Sequence, residues 1–557
     1  MKPIATDTYN FERLMTDGYT YVDKTEVLYP LINKSIGTQF FLSRPRRFGK
    51  SLLISTFKSL FQGRRDLFKG LAINSLEYDW KMYPVLHLDM GSMQAPTIAE
   101  FEEKLLNQLM SLSKELDVEV EKSSIPSIVF TRLCEALAAK SPHKQFVMLV
   151  DEYDKPLLGT LNTPEVIKFR DALKSFYSVI KTKESLMRFT FITGISKFSK
   201  VSIFSDLNNL IDISMSAQFA TLLGYTHDEV KRFFPDWIEK LAKTLGVSSD
   251  EAFDEIVKWY DGYKFHYSAQ PVINPVSLGL CLRDSEFKTY WSSTAVPTFL
   301  IDILRNHPLN FASVDIAEER LDTYEPDKPD ITTLLYQTGY LTIKGFYQFG
   351  ALRKYDLGFP NLEVQNSFIT KLAPAYTGLE PSTAESAQIA AAEALYKHDV
   401  AKFISALKVF FRNIPYNLTD RQNEQMWQAI VYVVLKALGV GVFGEVETND
   451  GRIDMVVDLP NDIYIIEFKL DKPAAEAMEQ IKGKDYAGKY ALSGRRITLI
   501  AISFSSEKRT IVEELVEEME GEGTREKVRG TREKVRGTRY EVRGGRYEGE
   551  GMRDGNV

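Results

Sequence analysis

The sequence predicts an α/β protein with two separate α/β domains, and three observations lead to this prediction. Between residues 37 and 215, continuous apolar runs of the buried-strand type alternate with amphipathic segments of helical periodicity. The first of these runs leads into a Gly-Lys-Ser triplet and then into a helical pattern. A different α/β pattern follows after residue 384, and it includes a hairpin that carries several charged side chains.

The alternation in the N-terminal part predicts a parallel sheet with helices on both faces. Its strands consist of uninterrupted apolar residues because both faces of such a sheet are covered. We expect strands at 39–43, 84–89, 146–151 and 189–193, and helices at 51–61, 98–115, 127–139 and 165–182.

The stretch from Gln39 to Ser55 has the order of a phosphate-binding P-loop: strand, basic loop, Gly-Lys-Ser, helix. Lys50 would reach the β- and γ-phosphates, and the Ser51 hydroxyl would hold Mg²⁺. Arg44 stands where the P-loop consensus has its first glycine, so we expect the loop to turn differently at its start. An ordinary strand–helix junction is the alternative. The predicted nucleotide-binding residues are Arg47, Phe48, Gly49, Lys50, Ser51 and Leu52.

Two carboxylates favour the P-loop interpretation. The apolar run 146–150 ends in Asp151 and Glu152, at the strand end where α/β folds bind ligands. Asp151 would coordinate Mg²⁺, and Glu152 would polarise the water that attacks the γ-phosphate of ATP. A solvated acidic turn is the alternative. At the end of the next strand, Thr193 would either sense the γ-phosphate or belong to a simple strand-ending turn.

Changes of pattern along the chain suggest five segments. We expect a P-loop core at 1–220, a helical lid at 221–290, a mixed connector at 291–383, a second α/β domain at 384–518 and a tail at 519–557. Within the lid, Thr226 and Glu229 fit a helix capping box. From Gly523 the tail repeats every seven residues, with at least one glycine and at most one valine in each repeat, so we expect it to be disordered.

A second chemical site is predicted on a hairpin of the second α/β domain. Pairing outward from a turn at residues 460–461 puts Asp454 opposite Glu467, and Lys469 lies on the same face. Two opposed carboxylates repel each other unless a cation lies between them, so the arrangement predicts a divalent metal site. A register shift of one residue would move Asp454 to the other face.

Composition excludes several functions. A net charge of −7 argues against a uniformly basic nucleic-acid-binding surface, and two cysteines exclude a disulfide framework. Six scattered histidines form no zinc motif. The sequence has neither a signal-peptide core nor an apolar stretch long enough to span a bilayer, so we expect a cytoplasmic protein without membrane association.

The chain resembles the bacterial AAA-ATPase-like family, whose members carry a C-terminal PD-(D/E)XK nuclease-like domain. The likeness extends from about residue 5 to about residue 505 and includes a distinctive basic version of the P-loop that also has arginine at position 44. The resembling segments are YVDKT at 21–25, LSRPRRFGKS at 42–51, LVDEYD at 149–154, TGISK at 193–197 and YDGY at 260–263.

The resemblance implies ATP binding in the first domain and a restriction-endonuclease-like fold in the second. In PD-(D/E)XK nucleases the two carboxylates, here Asp454 and Glu467, hold Mg²⁺, with Mn²⁺ as an alternative, and the lysine, here Lys469, assists the attacking water or the developing phosphate charge. The family's additional helix residues correspond to Glu424 and Gln480.

Two functions follow from this resemblance. The first is an ATP-hydrolysing protein coupled to a metal-dependent endonuclease that acts on DNA. The alternative is a nucleotide-gated binding or signalling module with a catalytically silent nuclease-like domain. The sequence leaves oligomerisation open.

Overall fold

The computed structural model describes residues 1–161, 163–197, 209–291, 300–301, 303–304, 309, 311, 314–321, 330–412, 432–436, 441–448, 451–508 and 510–519. Two compact units make up the chain. One comprises Met1–Ile389 and Asn413–Gly439, and the other comprises Ala390–Arg412 and Val440–Val557. Glu424 and the repeats that begin at Gly523 lie outside the described residues.

The first unit contains a five-stranded parallel sheet with the order β2-β3-β4-β1-β5. Every residue of β1, β3 and β4 is buried, as the continuous apolar runs predicted. The predicted parallel sheet is therefore confirmed. Its strands are β1 (Gln39–Ser43), β2 (Val85–Asp89), β3 (Phe146–Asp151), β4 (Met187–Gly194) and β5 (Ile211–Asp212).

Helices accompany these strands, and local sequence signals set several of their starts. The Thr97 side chain accepts a hydrogen bond from the Glu100 amide at the start of α4, and Pro126 occupies the first turn of α5. The helices are α1 (Phe11–Thr16), α2 (Thr25–Ile32), α3 (Lys50–Phe61), α4 (Ile98–Glu115), α5 (Pro126–Lys140), α6 (Lys155–Leu158) and α7 (Val166–Thr182).

Four further helices follow the sheet, in the segment 221–290 that we predicted to be a helical lid and hereafter call the lid. The predicted capping box is present, because Thr226 and Glu229 each accept a hydrogen bond from the other's backbone amide. The helices pack around a shared core that includes Val230, Leu241 and Ile256. They are α8 (His227–Phe233), α9 (Pro235–Leu245), α10 (Ser249–Tyr260) and α11 (Pro275–Asp284).

The described residues of the segment predicted as a mixed connector, 291–383 and hereafter the connector, include a small antiparallel sheet with the order β6-β8-β7. Gly339, which ends α13 with a φ of 90°, lies against loop 44–49 of the same unit. A Cβ atom at position 339 would come within 2.6 Å of the Pro45 side chain. The elements are β6 (Val314–Ala317), α12 (Glu318–Leu321), α13 (Ile331–Thr338), β7 (Thr342–Phe349), β8 (Leu352–Gly358) and α14 (Leu362–Thr377).

The second unit is built on a mixed sheet with the order β13-β12-β11-β10-β9, in which only the β11–β12 pair is parallel. Helix α17 covers one face, and Ala477, Met478 and Ile481 join the buried core there. The elements are the end of α15 (Pro381–Tyr396), α16 (Val400–Arg412), β9 (Gly441–Thr448), β10 (Gly451–Asp458), β11 (Asp462–Leu470), α17 (Ala474–Gly483), β12 (Arg496–Ser505) and β13 (Thr510–Met519).

Candidate nucleotide and metal sites

The loop between β1 and α3, residues 44–49 and hereafter the phosphate loop, turns at two left-handed residues. Arg47 has a φ of 66° and Gly49 has a φ of 91°. Arg44 does not adopt a positive φ. The left-handed turn therefore comes at Arg47 and Gly49, and the loop starts differently from one with glycine at position 44, as we expected. Helix α3 begins directly after Gly49, and its N-terminal amide groups therefore follow the turn.

Arg44 has a structural role. Its guanidinium is buried, and Nη1 donates hydrogen bonds to the carbonyl oxygens of Ser43 (2.9 Å) and Ser214 (2.7 Å). Nη2 donates to the carbonyl of Phe219 (3.2 Å), and the group lies 3.9 Å above the ring of Phe265. Burial lowers the pKa of Arg44 to about 10. The arginine that replaces the consensus glycine thus ties the start of the loop to more distant segments.

Lys50 is buried inside the curve of the phosphate loop. Its Nζ donates hydrogen bonds of 2.9 Å to the carbonyl oxygens of Arg44 and Pro45. Burial lowers the pKa of this amine, whereas Asp151 and Glu152 oppose the shift. The two acidic residues at the end of β3 are therefore close enough to act on the lysine.

Three carboxylates meet at the carboxyl ends of β2 and β3. The Asp151 carboxylate is buried and hydrogen-bonded to the Ser51 hydroxyl, and burial raises the pKa of Asp151. The backbone amide of Glu152 (φ 50°) donates to the Asp151 carboxylate at 2.9 Å. Asp89, which pairs in register with Asp151, was not predicted. A Cβ atom on Gly91 would lie 3.0 Å from Asp89 Oδ1 and 3.1 Å from Glu152 Oε2, so these side chains are neighbours.

Thr193 lies at the end of β4, where its hydroxyl donates a 2.7 Å hydrogen bond to the carbonyl of Leu42 on β1. The residue is fully buried. This geometry matches the strand-ending turn rather than a side chain directed at a phosphate. Beside it, the buried Asp154 accepts hydrogen bonds from the amide and hydroxyl groups of Ser196. Asp154 was not predicted as a site residue.

A pocket opens next to the phosphate loop and is lined mainly by apolar side chains. The N-terminal segment, the start of α3 and the beginning of the lid form its walls. Lys24 connects two of these walls, because its Nζ donates to the carbonyl of Thr221 (2.8 Å) and to the Glu229 carboxylate (2.6 Å). The lining includes Tyr9, Tyr21, Gly49, Leu52, Leu223 and Tyr225.

In the second unit, the hairpin has the predicted register. Met455 pairs with Ile466 and Asp458 with Ile463, and the same register places Asp454 opposite Glu467. The Asp454 amide is 3.4 Å from Glu467 Oε2, and the Asp454 carboxylate accepts a 3.0 Å hydrogen bond from the amide of Phe468. The two carboxylates therefore converge next to the Met455–Ile466 pair, where the printed pairing of β10 with β11 ends.

Glu467 is the buried centre of this second site. Lys469 Nζ lies 3.5 Å from its Oε1, and Gln480 on α17 donates a hydrogen bond to the same oxygen. Tyr486, which was not predicted, lies 3.4 Å from Gln480 Nε2. Burial and the neighbouring Asp454 raise the pKa of Glu467 to about 7, although Lys469 opposes the shift. The structure thus brings Asp454, Glu467, Lys469 and Gln480 together.

The donor set is suited to a hard divalent cation. Carboxylate oxygens are preferred ligands of such ions, and a cation would relieve the repulsion that raises the pKa of Glu467. Among the described residues, however, no three histidine, cysteine, aspartate or glutamate side chains form a metal-binding group. The site supplies two protein carboxylates, and Mg²⁺ commonly keeps several water ligands.

Comparisons with known proteins give a separate family match for each of the two candidate sites. Residues 3–204 match the family model described as predicted AAA-ATPase, and residues 422–514 match that of the PD-(D/E)XK nuclease superfamily. An uncharacterized protein in the vnfD 5′ region of Azotobacter chroococcum mcd 1 is 36% identical over 514 residues, which covers 90% of this chain and 96% of that protein. No solved structure matches, and no helix in the described segments is long and apolar enough to cross a membrane. The chain belongs to the family of predicted AAA-ATPases that carry a C-terminal PD-(D/E)XK nuclease-superfamily domain.

Proposed function

We propose that the first unit binds and hydrolyses ATP and that the second unit is a metal-dependent nuclease that acts on DNA. The observation that carries the proposal is the convergence of Lys50, Ser51, Asp151 and Glu152 at one end of the parallel sheet. A P-loop lysine, a metal-binding hydroxyl and two strand-end carboxylates are the groups that phosphoryl transfer to water requires.

Each of these groups has a separate task. The backbone amides of the phosphate loop and of α3 bind the phosphates, and the Lys50 amine neutralises part of their charge. Ser51 and Asp151, already bonded to each other, would hold Mg²⁺, which supplies charge neutralisation on the phosphates when bound. Glu152 accepts a proton from, or orients, the attacking water.

The pocket beside the phosphate loop supports the choice of a nucleotide over inorganic polyphosphate. Gly49 and Leu52 belong both to the P-loop region and to the pocket lining, so a ligand with its phosphates on the loop can extend into the pocket. The apolar and tyrosine side chains there suit a flat heteroaromatic base. The Lys24–Glu229 ion pair on the pocket wall connects the N-terminal segment to the lid helix α8.

In the second unit, Asp454 and Glu467 would hold the metal, and Lys469 lies on the same face to act on the water or phosphate. The bond between Gln480 and Glu467 fixes the orientation of one carboxylate oxygen. A metal held by these two carboxylates would supply positive charge at the scissile phosphate. DNA is proposed as the substrate because the domain belongs to a nuclease superfamily.

One observation favours the second candidate function, a binding or signalling module with a silent nuclease-like domain. Lys469 and Gln480 both contact the same oxygen of Glu467, so this carboxylate has partners even without a cation. Measuring metal binding to the second unit's site in wild type and in Asp454→Asn distinguishes the candidates, since a silent domain would show no change.

Phosphate release from ATP tests the nucleotide half of the proposal. Wild type should release phosphate in the presence of Mg²⁺, and Lys50→Ala should not. Lys58→Ala is the matched control, because Lys58 lies on the same helix α3 with its side chain partly exposed and directed to Glu115. Equal hydrolysis by wild type and Lys50→Ala would show that the phosphate loop is not the hydrolytic site.

A further inference from the structure

The three arginines next to the phosphate-binding lysine are held in different ways. Arg44 is buried and hydrogen-bonded to backbone carbonyls. Arg47 donates a 2.6 Å hydrogen bond to the carbonyl of Tyr290. Arg46 is partly exposed, and its guanidinium makes no hydrogen bond or ion pair within the part of the chain that the structure describes. Two of the three side chains are therefore bonded to backbone carbonyls, whereas that of Arg46 has no such bond among the described residues.

The backbone of Arg46 is nevertheless fixed on both sides. Lys50 Nζ donates to the carbonyl of Pro45, which belongs to the peptide bond that leads into Arg46. The indole of Trp291 donates a 3.3 Å hydrogen bond to the carbonyl of Arg46 itself. Trp291 is held in turn by Glu363, whose carboxylate accepts a 2.6 Å hydrogen bond from the Trp291 amide. A fixed backbone with an uncommitted charged side chain is the arrangement of a preorganised binding group.

The charge of Arg46 lies close to that of Lys50. The two cations are near enough to repel each other electrostatically. The neighbouring carboxylates Asp151, Glu152 and Asp154 act on Lys50. No described carboxylate forms an ion pair with Arg46. An anion bound at Lys50 would remove this repulsion and would give the guanidinium a partner.

We propose that Arg46 binds the terminal phosphate of the nucleotide in cis and stabilises the charge that develops there during hydrolysis. The inference rests on the proposed ATPase function and adds Arg46 to the groups that carry it out. A water oxygen forms a bond to the γ-phosphorus while the bond to the β–γ bridging oxygen breaks, and a water proton passes to Glu152. The products are ADP and inorganic phosphate. Arg46 donates hydrogen bonds to γ-phosphate oxygens and keeps its own protons.

The test is the ATPase rate and the nucleotide affinities of Arg46→Ala. We expect kcat to fall by about 10³-fold, as for arginines that contact the transferred phosphoryl group in P-loop enzymes, while ADP affinity stays near that of wild type. The kcat of Arg46→Lys should lie between those of wild type and Arg46→Ala, because an ammonium group replaces the charge of the guanidinium but not its several hydrogen-bond donors. Arg13→Ala, an exposed arginine on α1, is the control and should leave the rate unchanged.

Three results separate this inference from the proposed function. If Lys50→Ala abolishes nucleotide binding and Arg46→Ala hydrolyses ATP at the wild-type rate, the role of Arg46 is refuted and the ATP site stands. If Arg46→Ala weakens ADP and ATP equally, the terminal-phosphate contact is refuted. Added guanidinium ion should restore part of the activity of Arg46→Ala, and rescue would support the contact because a lost structural role would not respond to it. If Arg46→Ala does not fold, Arg46→Lys provides the same comparison of kcat with ADP affinity.

Discussion

Glu363→Gln should raise the free energy of unfolding of the protein at alkaline pH and leave it nearly unchanged at acid pH. Glu363, on α14, is completely buried, and its Oε2 has no hydrogen-bond partner among the residues that the structure describes. Burial raises the pKa of this carboxyl from its ordinary 4.5 to about 7, although the Trp291 amide and the Arg47 charge oppose the shift. The ionised form is therefore unfavourable in the folded state.

The sign and size of the effect follow from the two pKa values. Below pH 4.5, Glu363 is protonated in the folded and unfolded states, and its full contribution to stability is present. As the pH rises from 4.5 to 7, the unfolded state loses the proton first, so stability falls until the folded carboxyl also ionises. The cost above pH 7 is about 3 kcal/mol, because one pKa unit corresponds to about 1.4 kcal/mol. Glutamine does not ionise and should escape this cost.

Urea unfolding followed by tryptophan fluorescence measures the difference between variant and wild type. Taking the difference at each pH removes the contributions of other titrating groups that the substitution does not affect. We expect Glu363→Gln to gain about 3 kcal/mol relative to wild type between pH 4.5 and pH 8. Glu103→Gln, an exposed site on α4, is the control and should show no such trend. A difference between Glu363→Gln and wild type that does not vary with pH would refute the reasoning.

Three further predictions concern the two sites and the tail. Glu152→Gln should still bind ATP, as measured by nucleotide titration, but should hydrolyse it about 10²-fold more slowly because the general base is lost; wild-type turnover would contradict that role. The double variant Asp454→Asn, Glu467→Gln should be at least as resistant to urea as metal-free wild type, because it removes two neighbouring carboxylates that repel each other; a clear loss of stability would count against the repulsion. Deleting residues 523–557 should change neither the melting temperature nor the ATPase rate, because these repeats contain no apolar pattern that forms a core; a large fall in either would show that the tail packs on the protein.

Local patterns were sufficient to predict the elements that carry both candidate sites. The buried strands appear as uninterrupted apolar runs, and the register of the hairpin follows from the turn at 460–461 because side chains alternate between faces. The capping box at Thr226 and Glu229 is also a local signal. Each of these features depends on residues that lie close together in the sequence.

Contacts between distant segments were not predicted. Trp291 and Arg46 are 245 positions apart, and neither has a sequence pattern that indicates their hydrogen bond. The roles of Glu363 and Gly339 likewise could not be predicted, because they depend on how the connector packs near the phosphate loop. Asp89 could have been found, because it ends an apolar strand as Asp151 does, but the sequence does not show that β2 and β3 are neighbours.

The measurement that most directly tests the central claim is nicking of supercoiled plasmid DNA with Mg²⁺ or Mn²⁺, with and without ATP. The account predicts nicking by wild type, loss of nicking in Glu467→Ala and Lys469→Ala, and retention in Lys472→Ala, an exposed lysine just beyond the same strand. Nicking that persists in Glu467→Ala would place the chemistry elsewhere. Absence of nicking by folded wild-type protein under every condition would contradict the nuclease claim and favour the binding-module function.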